Sequence, residues 1–462
     1  MSLISPDILK ACDIRGVYPK PLGPEQAYLI GLSVGTLVKE EPHRNIKMVV
    51  GCDIRHSSKP LKKALLEGLY RTGLKIVDAG VVSTPLLAFA ARYEKASVGI
   101  MVTASHNPPE YNGFKFFRWG SPAPVAWISE LYKVLERQDF RKGAGVVETK
   151  EFYRDYRNTL INTIAQSFVD FKIVADVGNG AAALTTPDVL AALGCELVVM
   201  NGEPDGDYPG RGADSSAPAT LAALSEKVRK TKAQMGVAFD GDADRISFVD
   251  EKGREVPNDI ILTLFAEKWI VPGKRHKVVY DVKCSDWVDQ TVRKQGGFPI
   301  LEKAGHSFIF DRMQKEKALL GGEASGHFFL PGNFPGDALY ACLRVMEILK
   351  NKELSLGQYF EKFPNRVSTH DMKVQMSESQ VSEFYDSLEN RAKELGATIY
   401  KVDGVRAVLG ENWGIARKSV TEPVVSCRFE GPDRDSVKSF MENWLKDSPD
   451  VLQELVKKLK NP

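Results

Sequence analysis

Three stretches of this chain repeat one local order, and that repeat constrains the architecture more than any other feature of the sequence. Each copy offers three short apolar strands, each ending in small or polar residues. In the first, Met48 to Gly51 runs into Cys52-Asp53-Ile54-Arg55, Lys75 to Val77 into Asp78-Ala79-Gly80, and Val98 to Val102 into Thr103-Ala104-Ser105-His106-Asn107-Pro108. In the second, Ile173 to Ala175 ends in Asp176-Val177-Gly178-Asn179-Gly180, Leu197 to Met200 in Asn201-Gly202, and Met235 to Phe239 in Asp240-Gly241-Asp242-Ala243-Asp244-Arg245. In the third, Val278 to Tyr280 ends in Asp281-Val282-Lys283, Pro299 to Leu301 leads to Gly305-His306, and Ala318 to Leu320 leads to Gly321-Gly322-Glu323-Ala324-Ser325-Gly326-His327. Helical patterns such as Pro60 to Thr72 and Pro187 to Leu193 lie between them, and this alternation implies mostly parallel βα units.

Beyond Pro364 the texture changes. Val367 to Met376 alternates like a strand with one exposed face, Ser379 to Leu395 reads as an amphipathic helix, and Thr398 to Val402 as another strand. A strand over Val424 to Phe429 and a closing helix over Asp435 to Leu445 complete this region. The expected fold class is α/β: three similar mixed-sheet α/β domains plus a C-terminal α+β domain around a central cleft. The expected divisions are residues 1–150, 151–256, 257–366 and 367–462. A chain of 462 residues accommodates about three to four domains of usual size.

Charge and cysteine usage exclude several functions. A formal net charge of +2 without a basic run leaves no electrostatic footprint for nucleic acid or an anionic membrane. No apolar stretch approaches the roughly twenty residues of a membrane helix. The six cysteines (Cys12, Cys52, Cys195, Cys284, Cys342 and Cys427) show no CxxC spacing, and no basic-then-apolar signal opens the chain, so a cytoplasmic location is expected.

The densest polar chemistry sits after the third strand of each repeat. Pro108 and Pro109 stop the strand that delivers Ser105, so this serine is expected on a tight turn at a carboxyl strand end, where α/β sheets collect ligands. Taken alone, Ser105 would be a turn residue whose hydroxyl bonds local backbone. No GxSxG elbow surrounds it, and adjacent His106 is poorly placed as its base, so phosphorylation reads better than a hydrolase triad. Asp240, Asp242 and Asp244 alternate along one side of their turn, and three hard oxygen donors suit Mg²⁺ in a phosphoryl-transfer site. The metal and Lys115 and Arg15 would neutralise a phosphoserine. Glu323, Ser325 and His327 offer a site for hydroxyls of a small polar ligand. Arg417, Ser419 and Thr421 suit a phosphate dianion.

These motifs resemble the α-D-phosphohexomutases, in particular the bacterial phosphomannomutase/phosphoglucomutase type. TASHNP at Thr103 to Pro108 is similar to the family's phosphoserine loop, DGDADR at Asp240 to Arg245 to its metal loop, and GEASGH at Gly322 to His327 to its sugar-binding loop. DIRG at Asp13 to Gly16, NGFK at Asn112 to Lys115 and GHS at Gly305 to Ser307 extend the likeness along the whole chain. The resemblance implies a four-domain enzyme in which phosphorylated Ser105, a metal ligand together with Asp240, Asp242 and Asp244, donates its phosphoryl group to a hexose monophosphate. The resulting hexose 1,6-bisphosphate would reorient and return the other phosphoryl group. Glu323 and Ser325 would hold sugar hydroxyls, and the Arg417 to Thr421 loop the unreacting phosphate. Arg15, Lys115, Arg245, Lys283 and His306 would line the cleft, with His327 or Lys115 as general acid/base.

Two positions depart from the family pattern. Val420 stands where the last loop usually carries Asn, and Cys12 stands where an aromatic residue commonly precedes DIRG. The expected partner is a small phosphosugar, with no nucleic acid or membrane, for a monomer or dimer. Rival readings are a phosphoglucosamine mutase, a single-sugar phosphoglucomutase, a metal-dependent phosphatase, and a phosphosugar-binding protein without turnover.

Overall fold

The loop after the third strand of each repeat is short, and that shortness decides how each sheet closes. In the computed structural model, which describes residues 4–41, 46–369, 371–418 and 424–460, these loops span 103–110, 240–245 and 323–327. A parallel return needs a crossover of about a dozen residues or more, so the next strand must come back antiparallel. Val98–Val102 pairs antiparallel with Tyr111–Arg118, Met235–Phe239 with Ile246–Asp250, and Leu320–Gly322 with Phe328–Phe329. Each loop with dense polar chemistry is therefore a hairpin loop.

The remaining strands repeat one topology. Lys47–Cys52 lies between Lys75–Val81 and Val98–Val102, with both pairings parallel. Lys172–Asp176 takes the same place between Glu196–Met200 and Met235–Phe239, and Lys277–Asp281 between Phe298–Glu302 and Leu320–Gly322. The second and third sheets are thus parallel trios extended by antiparallel strands, and the first is a parallel quartet, because Val146–Thr149 adds parallel to Lys75–Val81; all three are less parallel than the strand–helix alternation suggests. Every residue of Val98–Val102 and of Met235–Phe239 is buried, which explains their unbroken apolar character.

An aromatic joint fixes the three units to each other. Phe89 on the helix Thr84–Tyr93, Tyr156 on Tyr153–Ile164 and Phe334 come from the three repeats, with ring centroids 5.5–6.2 Å apart. One apolar core runs through this joint. The Tyr156 hydroxyl donates to Asp337 Oδ2 at 2.8 Å, and Asp337 caps the helix Ala338–Lys352 by accepting from the Tyr340 N–H.

The C-terminal unit is an antiparallel sheet with its own core. The continuous strand expected over Val367 to Met376 is instead two strands, Val367–Ser368 and Met372–Gln375, both paired with Val424–Gly431. The pairing slips by one residue between Ser368↔Glu430 and Met372↔Cys427, as at a bulge. Strands Val405–Leu409 and Asn412–Lys418 and the helix Pro449–Lys460 add to the elements that the sequence pattern predicts. Buried Arg406 ties this unit to the third repeat, donating to the carbonyls of Val282 and Cys284 and to Asp286 Oδ1 at 2.6–3.0 Å. Among the described residues, no helix is long and apolar enough to cross a membrane.

Candidate active site

Ser105 sits at the carboxyl end of Val98–Val102 with a left-handed backbone, φ +52°, which is uncommon outside glycine and asparagine. That conformation turns its side chain away from the strand direction. Its fully buried hydroxyl donates to Asp240 Oδ2 at 2.6 Å, across to the hairpin loop of the second repeat. His106 Nδ1 lies 3.4 Å from the same oxygen. Arg15, on the strand Ile14–Val17, donates to Asn107 Oδ1 and Asp13 Oδ2, so it lies against the Ser105 loop.

The carboxylates of Asp240, Asp242 and Asp244 are all buried, with one oxygen of each within 4.8 Å of the others. Asp240 Oδ1 accepts from the N–H groups of Asp244 and Arg245 at 3.1 Å, which closes the turn. Lys115 Nζ bridges Asp242 Oδ2 at 2.7 Å and Asp244 Oδ2 at 2.5 Å. Thr84, which opens the helix Thr84–Tyr93, donates its hydroxyl to Asp242 Oδ2 at 2.6 Å and its N–H to the Asp242 carbonyl. Among the described residues, Asp242 Oδ1 and Asp244 Oδ1 have no hydrogen-bond partner. Buried carboxylate oxygens left without donors, beside a serine hydroxyl, fit a hard divalent cation that takes oxygen ligands.

Proton affinities follow the crowding. Burial, with Asp242 and Asp244 alongside, pushes the Asp240 carboxyl well above the usual range. Burial acts the same way on Asp244, but Lys115, His327 and Arg245 overcome it and hold that carboxyl well below. Lys115 is also desolvated, yet the aspartates raise it and keep it an ammonium. Burial, then Lys115 and His327, pushes His306 down to about 3.

The third hairpin closes the cluster. His327 Nδ1 stands 3.7 Å from Asp244 Oδ2, and its ring lies 5.8 Å from that of His306. Glu323 Oε1 accepts from the Gly305 N–H at 2.7 Å. Three buried atoms, Glu323 Oε2, Ser325 Oγ and His327 Nε2, have no partner among the described residues. Asp281 shapes this loop by accepting from the N–H groups of Lys283 and Ala324 at 2.6 and 2.8 Å.

Not every expected residue joins this centre. Lys283 Nζ pairs with Asp371 at 3.2 Å and Arg417 Nε with Asp403 at 2.7 Å, both in contacts of the C-terminal unit. Arg245 is raised by Asp244, Glu323 and Asp240 against the effect of its burial. Ser419, Val420 and Thr421 lie outside the described residues. Cys12 lies beside Gly305, and burial pushes its thiol up to about 12. Arg55, Asp53, Thr84 and Asp281 were given no role from the sequence. Their signals, DIR after the first strand and Ser-Thr-Pro before a helix, reveal local turns and caps but not which loop they grip.

The chain matches the four family models described as phosphoglucomutase/phosphomannomutase: α/β/α domain I over residues 7–142, domain II over 150–253, domain III over 257–367, and the C-terminal domain over 372–446. A phosphomannomutase/phosphoglucomutase of Pseudomonas aeruginosa is 35% identical over 446 residues, covering 95% of each chain. A phosphoglucomutase of Neisseria meningitidis is 33% identical, covering 98% of this chain and 100% of its own. A crystal structure of a phosphoglucomutase/phosphomannomutase family protein from Burkholderia thailandensis superposes with a TM-score of 0.88 at 34% identity, covering 96% of this chain and 98% of that one.

Proposed function

The chain belongs to the phosphoglucomutase/phosphomannomutase family and is a hexose-phosphate mutase, and we propose that Ser105 carries the phosphoryl group between the 1- and 6-positions of the sugar. The observation that supports this most is the meeting of three hairpin loops: Ser105 from the first, Asp240 bonded to it from the second, and His327 beside Asp244 from the third.

In the proposed cycle a sugar hydroxyl oxygen attacks the phosphorus on Ser105, forming the new P–O bond as the bond to Ser105 Oγ breaks. His327 Nε2, buried without a partner among the described residues, takes the proton from the attacking hydroxyl, and that same proton is passed to Ser105 Oγ as this oxygen leaves phosphorus. The bound hexose 1,6-bisphosphate turns over, and its other phosphoryl group returns to Ser105 by the reverse exchange. Lys115 is a poorer base than His327, because its aspartate partners hold it protonated. It serves instead as a fixed positive charge beside the reacting group.

Asp240, Asp242, Asp244 and the Ser105 oxygen would hold a divalent cation, assigned here as Mg²⁺, which supplies further positive charge to the phosphoryl group in transfer. Glu323 Oε2 and Ser325 Oγ are assigned to sugar hydroxyls, which would give these buried atoms the partners they lack among the described residues. Arg15, Arg245 and His306 are assigned to the cleft wall. Lys283, Arg417, Ser419 and Thr421 are assigned to the phosphate that is not reacting. The four free-standing sheets support the divisions at 150, 256 and 366, and six free thiols fit a cytoplasmic enzyme.

The test is phosphorus NMR of the enzyme with glucose, mannose and glucosamine 1-phosphates. The proposal expects the 6-phosphate to appear without free phosphate, the fastest sugar naming the substrate, and Ser105→Ala to abolish conversion while keeping the wild-type circular dichroism. Free phosphate in place of isomerised sugar phosphate, or full activity in Ser105→Ala, would contradict it.

A further inference from the structure

We propose that Arg55 is a positioning residue for phosphoryl transfer: its guanidinium holds the backbone of the Ser105 loop in the conformation that aims Ser105 Oγ at Asp240. The inference rests on Ser105 being the phosphoryl carrier.

The Arg55 side chain is fully buried, and all five of its N–H donors are engaged, three of them with carbonyls of the Ser105 loop and a fourth with that of Tyr111, the first residue of the strand that follows. Nη2 donates to the carbonyls of Ser105 and Asn107 at 2.8 and 2.6 Å, and Nη1 to those of Pro108 and Tyr111 at 2.6 and 3.1 Å. Nε donates to Asp53 Oδ2 at 3.2 Å. The same Asp53 oxygen accepts from the Thr103 hydroxyl at 2.7 Å, and that hydroxyl accepts from the Ser105 N–H at 2.9 Å. Both peptide groups of Ser105 therefore lead back to the Asp53–Arg55 pair, its carbonyl directly and its N–H through Thr103. This is the residue whose backbone sits at φ +52°, a conformation that persists only where the surroundings over-determine it.

The second repeat seals the arrangement. The Tyr208 ring lies 5.0 Å from the guanidinium carbon of Arg55, and Tyr208 is itself buried. A Cβ on Gly241 would stand 2.5 Å from the Ser105 carbonyl oxygen and 3.1 Å from the Tyr208 hydroxyl. The carbonyl that Arg55 holds is thus wedged against the aspartate loop, and a shift of one moves Ser105 Oγ relative to Asp240. Fully buried Arg55 has no donor left over for a sugar, so its loss should act on the chemical step and not on sugar binding. Misplacement by about 1 Å costs roughly 10²-fold in rate.

The experiment compares Arg55→Lys and Tyr208→Leu with wild type, using steady-state kinetics on glucose 1-phosphate, melting curves, and mass spectrometry of Ser105 after incubation with glucose 1,6-bisphosphate. Lysine supplies three donors from a point charge and cannot span four carbonyls. The expected result is a folded Arg55→Lys enzyme with kcat down about 10²-fold and KM within about threefold of wild type, a split a purely structural loss would not give. A folded variant with kcat within about threefold of wild type, or a loss wholly explained by its melting curve, overturns the inference. Should Arg55→Lys not fold, Tyr208→Leu decides: kcat lowered about fivefold at unchanged KM supports it, and unchanged kcat overturns it. Wild-type enzyme that takes no phosphoryl group on Ser105 would defeat the functional reading itself, whereas normal wild-type labelling with a slow variant isolates the role of Arg55.

Discussion

His327 and Lys115 flank the same aspartate but differ in what they can do. Lys115 is locked as an ammonium between Asp242 and Asp244, while buried His327 Nε2 has no partner among the described residues. His327→Asn should therefore lower kcat about 10²-fold or more with little change in KM, and steady-state kinetics at fixed pH check this. A comparable loss in KM alone would move the proton-transfer role elsewhere. At this scale the sequence was legible where chemistry is written in contiguous motifs. TASHNP, DGDADR and GEASGH place their residues by local turns, so Ser105, Asp240 and His327 were readable one loop at a time. Arg55 and Thr84 were not, because each looks like an ordinary turn or cap residue until the fold brings a distant loop to it.

Elements carry these residues by being short. Each hairpin loop is too brief for a crossover, so its polar residues stay at the strand end instead of drifting along a helix. The C-terminal sheet was harder to read, because a one-residue slip splits the Val367 to Met376 run and because Asn412–Lys418 is interrupted by Gly414 amid mixed polarity. The helix Ala338–Lys352 links element to domain joint through its cap. Burial raises Asp337 from 3.8 to about 6, so the folded protein keeps a proton that the unfolded chain releases at lower pH. Stability from this group is therefore fully present below about pH 4 and is lost as pH rises through 6. Asp337→Asn preserves the cap acceptor and removes the titration, so relative to the variant the wild type should lose about 2 kcal/mol between pH 4 and pH 7. Melting temperatures of both proteins across that range test it, and parallel curves would refute it.

Across the whole molecule, no single domain holds the site. The Phe89–Tyr156–Phe334 joint fixes three similar units so that their hairpin loops converge, and Arg406 hangs the fourth unit on the segment that carries Lys283. The threefold order of strands announced the three units, and the chemistry of their loops suggested convergence. The joint itself was illegible, since Phe89, Tyr156 and Phe334 are ordinary core residues in sequence. Burial of this centre between the loops of the three repeats suits a reaction that must keep a phosphoryl group from water.

The most direct measurement of the central claim is to label the enzyme with glucose 1,6-bisphosphate carrying radioactive phosphorus, map the labelled peptide, and chase with unlabelled hexose phosphate. The account predicts label on Ser105 that then passes to sugar phosphate and not to free phosphate. Turnover with no label on Ser105, or label that leaves only as free phosphate, would contradict it.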